Sequence, residues 1–231
     1  MKRGWYVLAL VAAFALVATQ PASAQMGMDM FKRPAITKVF HPVVGRGAAY
    51  LSTDKDGKTR NSEISIVGKD SVDGKDGFWM EFVADDHNGK PVVGKALITL
   101  GDFQFHRMIV QPAGQQAMEL PGGAMSMAEP GKAKMEEFSN DWNSVGTETI
   151  TVPAGTFSCE HWRNNKNNAD SWTSDKITPL GLVKETHSGG GMVLIKVLDN
   201  ATDRITGPVK QFDMQQMMQQ LQQQHQPKPQ S

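Results

Sequence analysis

Beyond Arg46, apolar and polar side chains alternate with a period of two over most of the chain, the pattern of strands with one face buried. GRGAAYLST runs into Asp54-Lys55-Asp56-Gly57, a hairpin turn signal, and returns as KTRNSEISIVG. On the return run Ile64 and Ile66 share one face, and Glu63 and Ser65 the other. GFWMEFVAD then points Phe78, Met80 and Phe82 one way and Trp79, Glu81 and Val83 the other, and closes at Asp86-His87-Asn88-Gly89. KPVVGKALITL places Ala96, Ile98 and Leu100 on one face, and FQFHRMIVQ follows Gly101-Asp102. Such runs at short spacing predict an antiparallel meander.

The rhythm stops at PAGQQAMELPGGAMSMAEPG, residues 112–131, which carries three prolines and no sustained period. A segment this long between strands predicts a lid or binding loop, with Met118, Leu120, Met125 and Met127 as its apolar side chains. KAKMEEFSND, with Met135 and Phe138 three apart, fits a short helix. Strands resume with SVGTETITV, a Pro153-Ala154-Gly155 turn and TFSCEHWRN. The polar turn NNKNN leads to ADSWTS, a Pro-Leu-Gly corner, LVKETH, a glycine turn and MVLIKVLDN. In the last run Met192, Leu194 and Leu198 share one face and Val193, Ile195 and Val197 the other, which predicts a central strand covered on both sides. RITGPVKQF reads as a final short strand, with Pro208 suited to a sheet edge. In the tail, residues 213–231, Met214, Met217, Met218 and Leu221 form a helical apolar stripe against glutamine.

The opening residues change the picture of where this domain works. Lys2 and Arg3 precede an apolar run from Val7 to Ala18, and Ala22-Ser23-Ala24 supplies a small-x-small cleavage pattern. Residues 1–24 therefore read as a secretory signal, too short in its apolar part to span a bilayer. The expected organisation is a signal at 1–24, a flexible lead-in at 25–45, a β domain at 46–212 and a Gln/Met-rich tail at 213–231. No cysteine follows the cleavage pattern directly, so the expected product is exported, periplasmic or secreted, and not a lipoprotein. Removing the two leader cations from 24 basic residues leaves 22 against 24 acidic ones, no footprint for nucleic acid. A single cysteine makes no intrachain disulfide, so the core must come from apolar burial.

TITVPAGTFSCEHW, DSWTSDKITPLGLVKE and GGGMVLIKVLDN together resemble a family of exported bacterial domains of unknown function. These in turn look like the LolA/LolB group of periplasmic carriers of outer-membrane lipoproteins. The resemblance covers residues 142–200 best and implies a mainly β fold. It would be a curled antiparallel sheet, a LolA-like half-barrel, with a few short helices and a lid loop. It is specific for architecture and not for a ligand.

Candidate chemistry is sparse. Cys159 and His161 lie two apart on a strand, on the face of Phe157, with bases about 6.5–7 Å apart. That pair reads either as a nucleophile with its base or as two packed strand residues. The six histidines form no metal-binding spacing, and no GxSxG, HExxH or phosphate loop occurs, so no enzyme and no cofactor are expected. Met26, Met28 and Met30 are thioether candidates for Cu(I). A half-barrel would leave one sheet face to line a pocket, with Met80, Phe82, Ile98, Leu100, Ile150, Phe157, Met192 and Leu194 as its lining. The leading expectation is thus an exported binding or carrier module for an apolar small molecule or lipid moiety. An envelope interaction domain with a protein partner, and a Met-rich copper protein, are the alternatives.

Overall fold

Among the described residues, twelve strands build the domain: β1 (Arg46–Asp54), β2 (Thr59–Val72), β3 (Lys75–Asp85), β4 (Pro91–Thr99), β5 (Phe105–Gln111), β6 (Met118–Leu120), β7 (Trp142–Val152), β8 (Gly155–Asn164), β9 (Ala169–Thr173), β10 (Leu182–His187), β11 (Gly190–Asp199) and β12 (Lys210–Gln211). The computed structural model describes residues 40–85, 89–100, 105–120, 142–166 and 168–211. All twelve strands lie in one sheet, in the order β12-β6-β5-β4-β3-β2-β1-β11-β10-β9-β8-β7. Every neighbouring pair is antiparallel except β12 on β6. Two meanders, β1–β6 and β7–β11, are joined where β1 pairs with β11, from Arg46↔Asp199 to Asp54↔Gly190.

That junction needs glycine. Gly190 sits at φ +134, and a Cβ there would lie 1.9 Å from the Thr53 carbonyl oxygen. At the first hairpin the Asp54 carboxylate accepts the N–H groups of Asp56 and Lys58, each at 2.9 Å, and Gly57 takes the positive φ that closes the turn.

The main core collects alternate residues from both meanders: Tyr50, Ile64, Ile66, Phe78, Met80, Ile98, Met192 and Leu194. The connection between β9 and β10 fills against them with Ile177 and Leu180, followed by Leu182 and Val183 at the start of β10. This connection is internally bonded, Gly181 N–H to Ile177 C=O and Ser174 N–H to Gly181 C=O, both at 2.7 Å. The buried Tyr50 hydroxyl donates to the Leu182 carbonyl at 3.1 Å, and burial pushes its pKa up.

The opposite face of β3–β5 is covered by the segment after β11. Ile205 packs with Ile109 and Ala117, beside Trp79, Val93 and Val209. Lys95 pairs with Asp203, Arg204 pairs with Glu63, and the Arg204 N–H donates to Glu81 Oε2 at 2.9 Å. Burial raises the pKa of Glu81, while that backbone bond opposes the shift.

Several expectations are corrected. The fold is all β: no helix occurs among the described residues, and the sheet is open rather than a curled half-barrel. Closure would require the two edges, β7 and β12, to pair, and they do not. The expected helices at residues 132–141 and in the tail lie outside the described residues. Within the expected lid, Met118 and Leu120 belong to β6, paired with Val110 and Met108 of β5; Met125 and Met127 lie outside the described residues. β11 does not alternate regularly. Leu194 faces Tyr50 but Val197 faces Ala48, so a bulge at Ile195 returns Val197 to the core face. RITGPVKQF is mostly strap, with only Lys210–Gln211 as edge strand.

Leu180→Ala should destabilise the domain by about 2–5 kcal/mol, read as a fall in the urea unfolding midpoint. An unchanged midpoint would show that the β9–β10 connection does not fill the core.

Candidate functional site

The stretch TVPAGTFSCEHW folds as a hairpin. Val152 pairs with Gly155 around Pro153-Ala154, and Gly155 adopts φ 137. The Ala154 N–H donates to the Leu194 carbonyl at 3.4 Å, which sets the hairpin tip beside β11. Ile150, Val152, Phe157 and Cys159 consequently pack with the main core. Farther from the tip the same face turns polar. Cross-strand pairing aligns Gly146 of β7, His161 of β8, Trp172 of β9 and Lys184 of β10 in one row.

His161 is the centre of that row, with a side chain only 12% exposed. Its Nε2 lies 2.7 Å from Asp170 Oδ1, and its Nδ1 lies 3.0 Å from Glu148 Oε1. Trp172 stacks on the imidazole, centroids 4.5 Å apart and planes 16° from parallel, and its indole N–H donates to the same Glu148 oxygen. Arg163 Nε donates to Asp170 Oδ1 at 2.8 Å, and the Lys184 ammonium sits 5.0 Å from the Trp172 ring centroid. Burial acts to raise the pKa of Asp170, but the hydrogen bonds from Arg163 and His161 outweigh it and hold the carboxyl below its ordinary value.

Cys159, two residues from His161 on β8, is buried beside this row. Its Sγ contacts the Phe157 carbonyl oxygen at 3.7 Å. Burial, with a further contribution from the Glu148 charge, pushes its thiol up to about 11. A buried thiol of that kind is a packing group and not a ready nucleophile. Both nitrogens of His161 face carboxylates, so the pair read from the sequence is two strand residues with different partners.

The proposed lining residues separate into groups. Met80, Ile98, Met192 and Leu194 are buried in the main core, Phe82, Ile150 and Phe157 pack against it, and Leu100, just past the end of β4, is 41% exposed. Met26, Met28 and Met30 lie outside the described residues. No group of three or more histidine, cysteine, aspartate or glutamate side chains among the described residues could hold a metal. No helix among the described residues is long and apolar enough to cross a membrane. A polar cleft of about 210 Å³ lies at the start of the strap, lined by Glu63, Ser65, Glu81, Asp199, Thr202 and Arg204 among others.

The reading of the sequence did not select Glu148, Asp170, Trp172 or Lys184. Turn positions could have located them. A two-residue turn at Pro153-Ala154 sets Glu148 across from Cys159, beside His161, and a turn within NNKNN sets Trp172 across from His161.

No protein-family model matches the chain, and no curated protein matches it. Among solved structures it is similar to a Bacteroides fragilis protein with a YmcC-like fold, named as an exported protein. That match has 14% identity and a TM-score of 0.38, over 69% of this chain and 98% of the other. It is also similar to a Parabacteroides distasonis protein named as a lipoprotein, at 16% identity and a TM-score of 0.39, over 69% and 98% of the two chains.

Asp170→Asn tests the electrostatics of the row. A carboxyl whose folded pKa is depressed contributes stability above its unfolded value and loses that contribution as pH falls through the folded one. The wild type should therefore exceed the variant by roughly 1 kcal/mol near neutrality. The gap should close below about pH 4, measured by denaturant unfolding at each pH.

Proposed function

We propose that this chain is a non-enzymatic exported domain that works through protein contact rather than by carrying an apolar ligand. One observation supports this above the carrier reading. Met80 and Leu194, central to the expected cavity, are 0% exposed, and Ile177 and Leu180 pack into the same core at 1% and 0%. A carrier needs apolar volume that its own side chains leave empty, and here they occupy it.

The surface best suited to contact is β7. Among the described strands it is a sheet edge of 11 residues, with Asn143 to Thr149 exposed in succession and Val145 53% exposed. An edge strand presents unpaired backbone donors and acceptors to another chain. Between Trp142 and Val152 it carries one charged residue, Glu148, and neither proline nor lysine, the usual deterrents to strand addition. Export itself rests on residues 1–24, which lie outside the described residues.

Native mass spectrometry of protein recovered from an envelope, or incubated with phospholipid, should show the unliganded mass. A retained lipid or other apolar species would restore the carrier reading. In parallel, a photo-crosslinker at Val145 should form a discrete protein adduct, and Thr147→Lys should reduce it several-fold.

A further inference from the structure

The polar cleft at the start of the strap is built on one cross-strand row. Pairing sets Leu198 of β11, Gly47 of β1, Ser65 of β2 and Glu81 of β3 side by side. Gly47 leaves a gap that no side chain can fill, since a Cβ there would lie 2.4 Å from the Ile64 carbonyl oxygen and 2.6 Å from the Ser65 Cβ. The strap rises beside this gap, with the Ala201 N–H fixed to the Gly45 carbonyl at 2.8 Å and Thr202 and Arg204 in the wall. The space, about 210 Å³, is below the roughly 300–1,000 Å³ of sites for drug-sized molecules and suits one group of side-chain size. Ion pairs around it leave one carboxylate over. Arg46 pairs with Asp199, Lys95 with Asp203 and Arg204 with Glu63. Glu81 is the fourth carboxylate, and its side chain is only 1% exposed. Its Oε2 accepts the Arg204 backbone N–H at 2.9 Å, but its Oε1 lies 3.9 Å from Arg204 Nε, beyond hydrogen-bond reach. Burial raises the Glu81 pKa, and neither the Arg204 N–H nor the charges of Arg204 and Lys95 cancel that shift. Ser65, 6% exposed, lines the same cleft, and its hydroxyl has no hydrogen-bond partner among the described residues.

We propose that this cleft binds a primary ammonium group on an alkyl stem, with Glu81 Oε1 as its counter-charge, Ser65 Oγ as a second acceptor and Leu198 against the stem. A buried carboxylate without a cation of its own is costly, and a bound cation offsets that cost. An ammonium carries three donors and no acceptor, which matches a site whose unengaged groups are a carboxylate oxygen and a hydroxyl. A guanidinium fits less well. Its planar fork is suited to both oxygens of one carboxylate, and Glu81 Oε2 is already engaged by the strap. A metal ion lacks ligands, because no three histidine, cysteine, aspartate or glutamate side chains among the described residues converge. The same ammonium chemistry is carried by a free alkylamine and by a lysine side chain of another polypeptide.

The test is an NMR titration of the protein with n-butylammonium and, separately, with a lysine peptide blocked at both ends. The amides of Ser65, Glu81 and Thr202 should shift saturably with at least one probe, at one site per chain. Tetramethylammonium, equal in charge but without N–H donors, should bind about tenfold more weakly. Glu81→Gln, whose side-chain oxygen still accepts the Arg204 N–H, should weaken binding about tenfold, and Ser65→Ala several-fold. Tighter binding of butylammonium marks a free amine as the natural occupant, and tighter binding of the peptide marks a lysine side chain; either result supports the site. Absence of a saturable shift with both probes overturns the proposal. So does tetramethylammonium binding as tightly as butylammonium and the peptide, or an affinity unchanged in both variants. Should Glu81→Gln fail to fold, Ser65→Ala and the tetramethylammonium comparison decide.

Discussion

The pairing of β1 with β11 is the contact on which everything else rests. Each meander is built from neighbours in sequence, and the described sheet joins the two halves where Arg46–Asp54 lies against Gly190–Asp199. The partners are about 140 residues apart, so closing that contact costs chain entropy that local hairpins do not. Burial offsets the cost: Tyr50 faces Leu194 in the main core, and the Tyr50 hydroxyl reaches on to Leu182 of β10. The strap depends on the same junction. Asn200 turns at φ 62 and the Ala201 N–H donates to the Gly45 carbonyl at 2.8 Å. Beyond it Asp203 meets Lys95 of β4, and Arg204 meets Glu81 of β3 and Glu63 of β2.

The same packing decides between a cavity and a core. A sheet face lined by Met80, Ile98 and Leu194 is apolar enough to hold a ligand, and composition alone does not separate that outcome from a filled interior. What separates them is the connection between β9 and β10. It is short, internally hydrogen-bonded, and delivers Ile177 and Leu180 inward rather than arching over the sheet as a lid. On the other face, the strap performs the same service for Trp79 and Val93. The Lys95 ammonium and the Arg107 guanidinium lie over the Trp79 ring at 5.2 and 5.1 Å, cation–π contacts that help to cover it.

Strand positions were legible because side-chain alternation is a local property. Ile64 and Ile66, and Phe78, Met80 and Phe82, do line the main core, and β11 does sit inside the sheet. Three things were not legible. A bulge such as that at Ile195 leaves no mark in a period-two pattern, because apolar residues occupy both faces there. Sheet closure depends on what the edge strands pair with, and TITVPAGTFSCEHW is compatible with a half-barrel or an open sheet alike. The polar row was hidden for a third reason. Glu148, His161, Asp170 and Trp172 come from three strands, and only their register brings them together. His161 was visible as a residue; its partners were visible only as turn arithmetic.

The two edges of the sheet are managed differently. β6 is covered by the two parallel residues of β12, with Pro208 just before them and Gln211 bonded to Glu119. Pro208 removes a donor where another chain would need one. β7 has no such cover from a described strand and relies on a bulge beside Val145 and on one carboxylate. That carboxylate is the one drawn inward to His161 and Trp172.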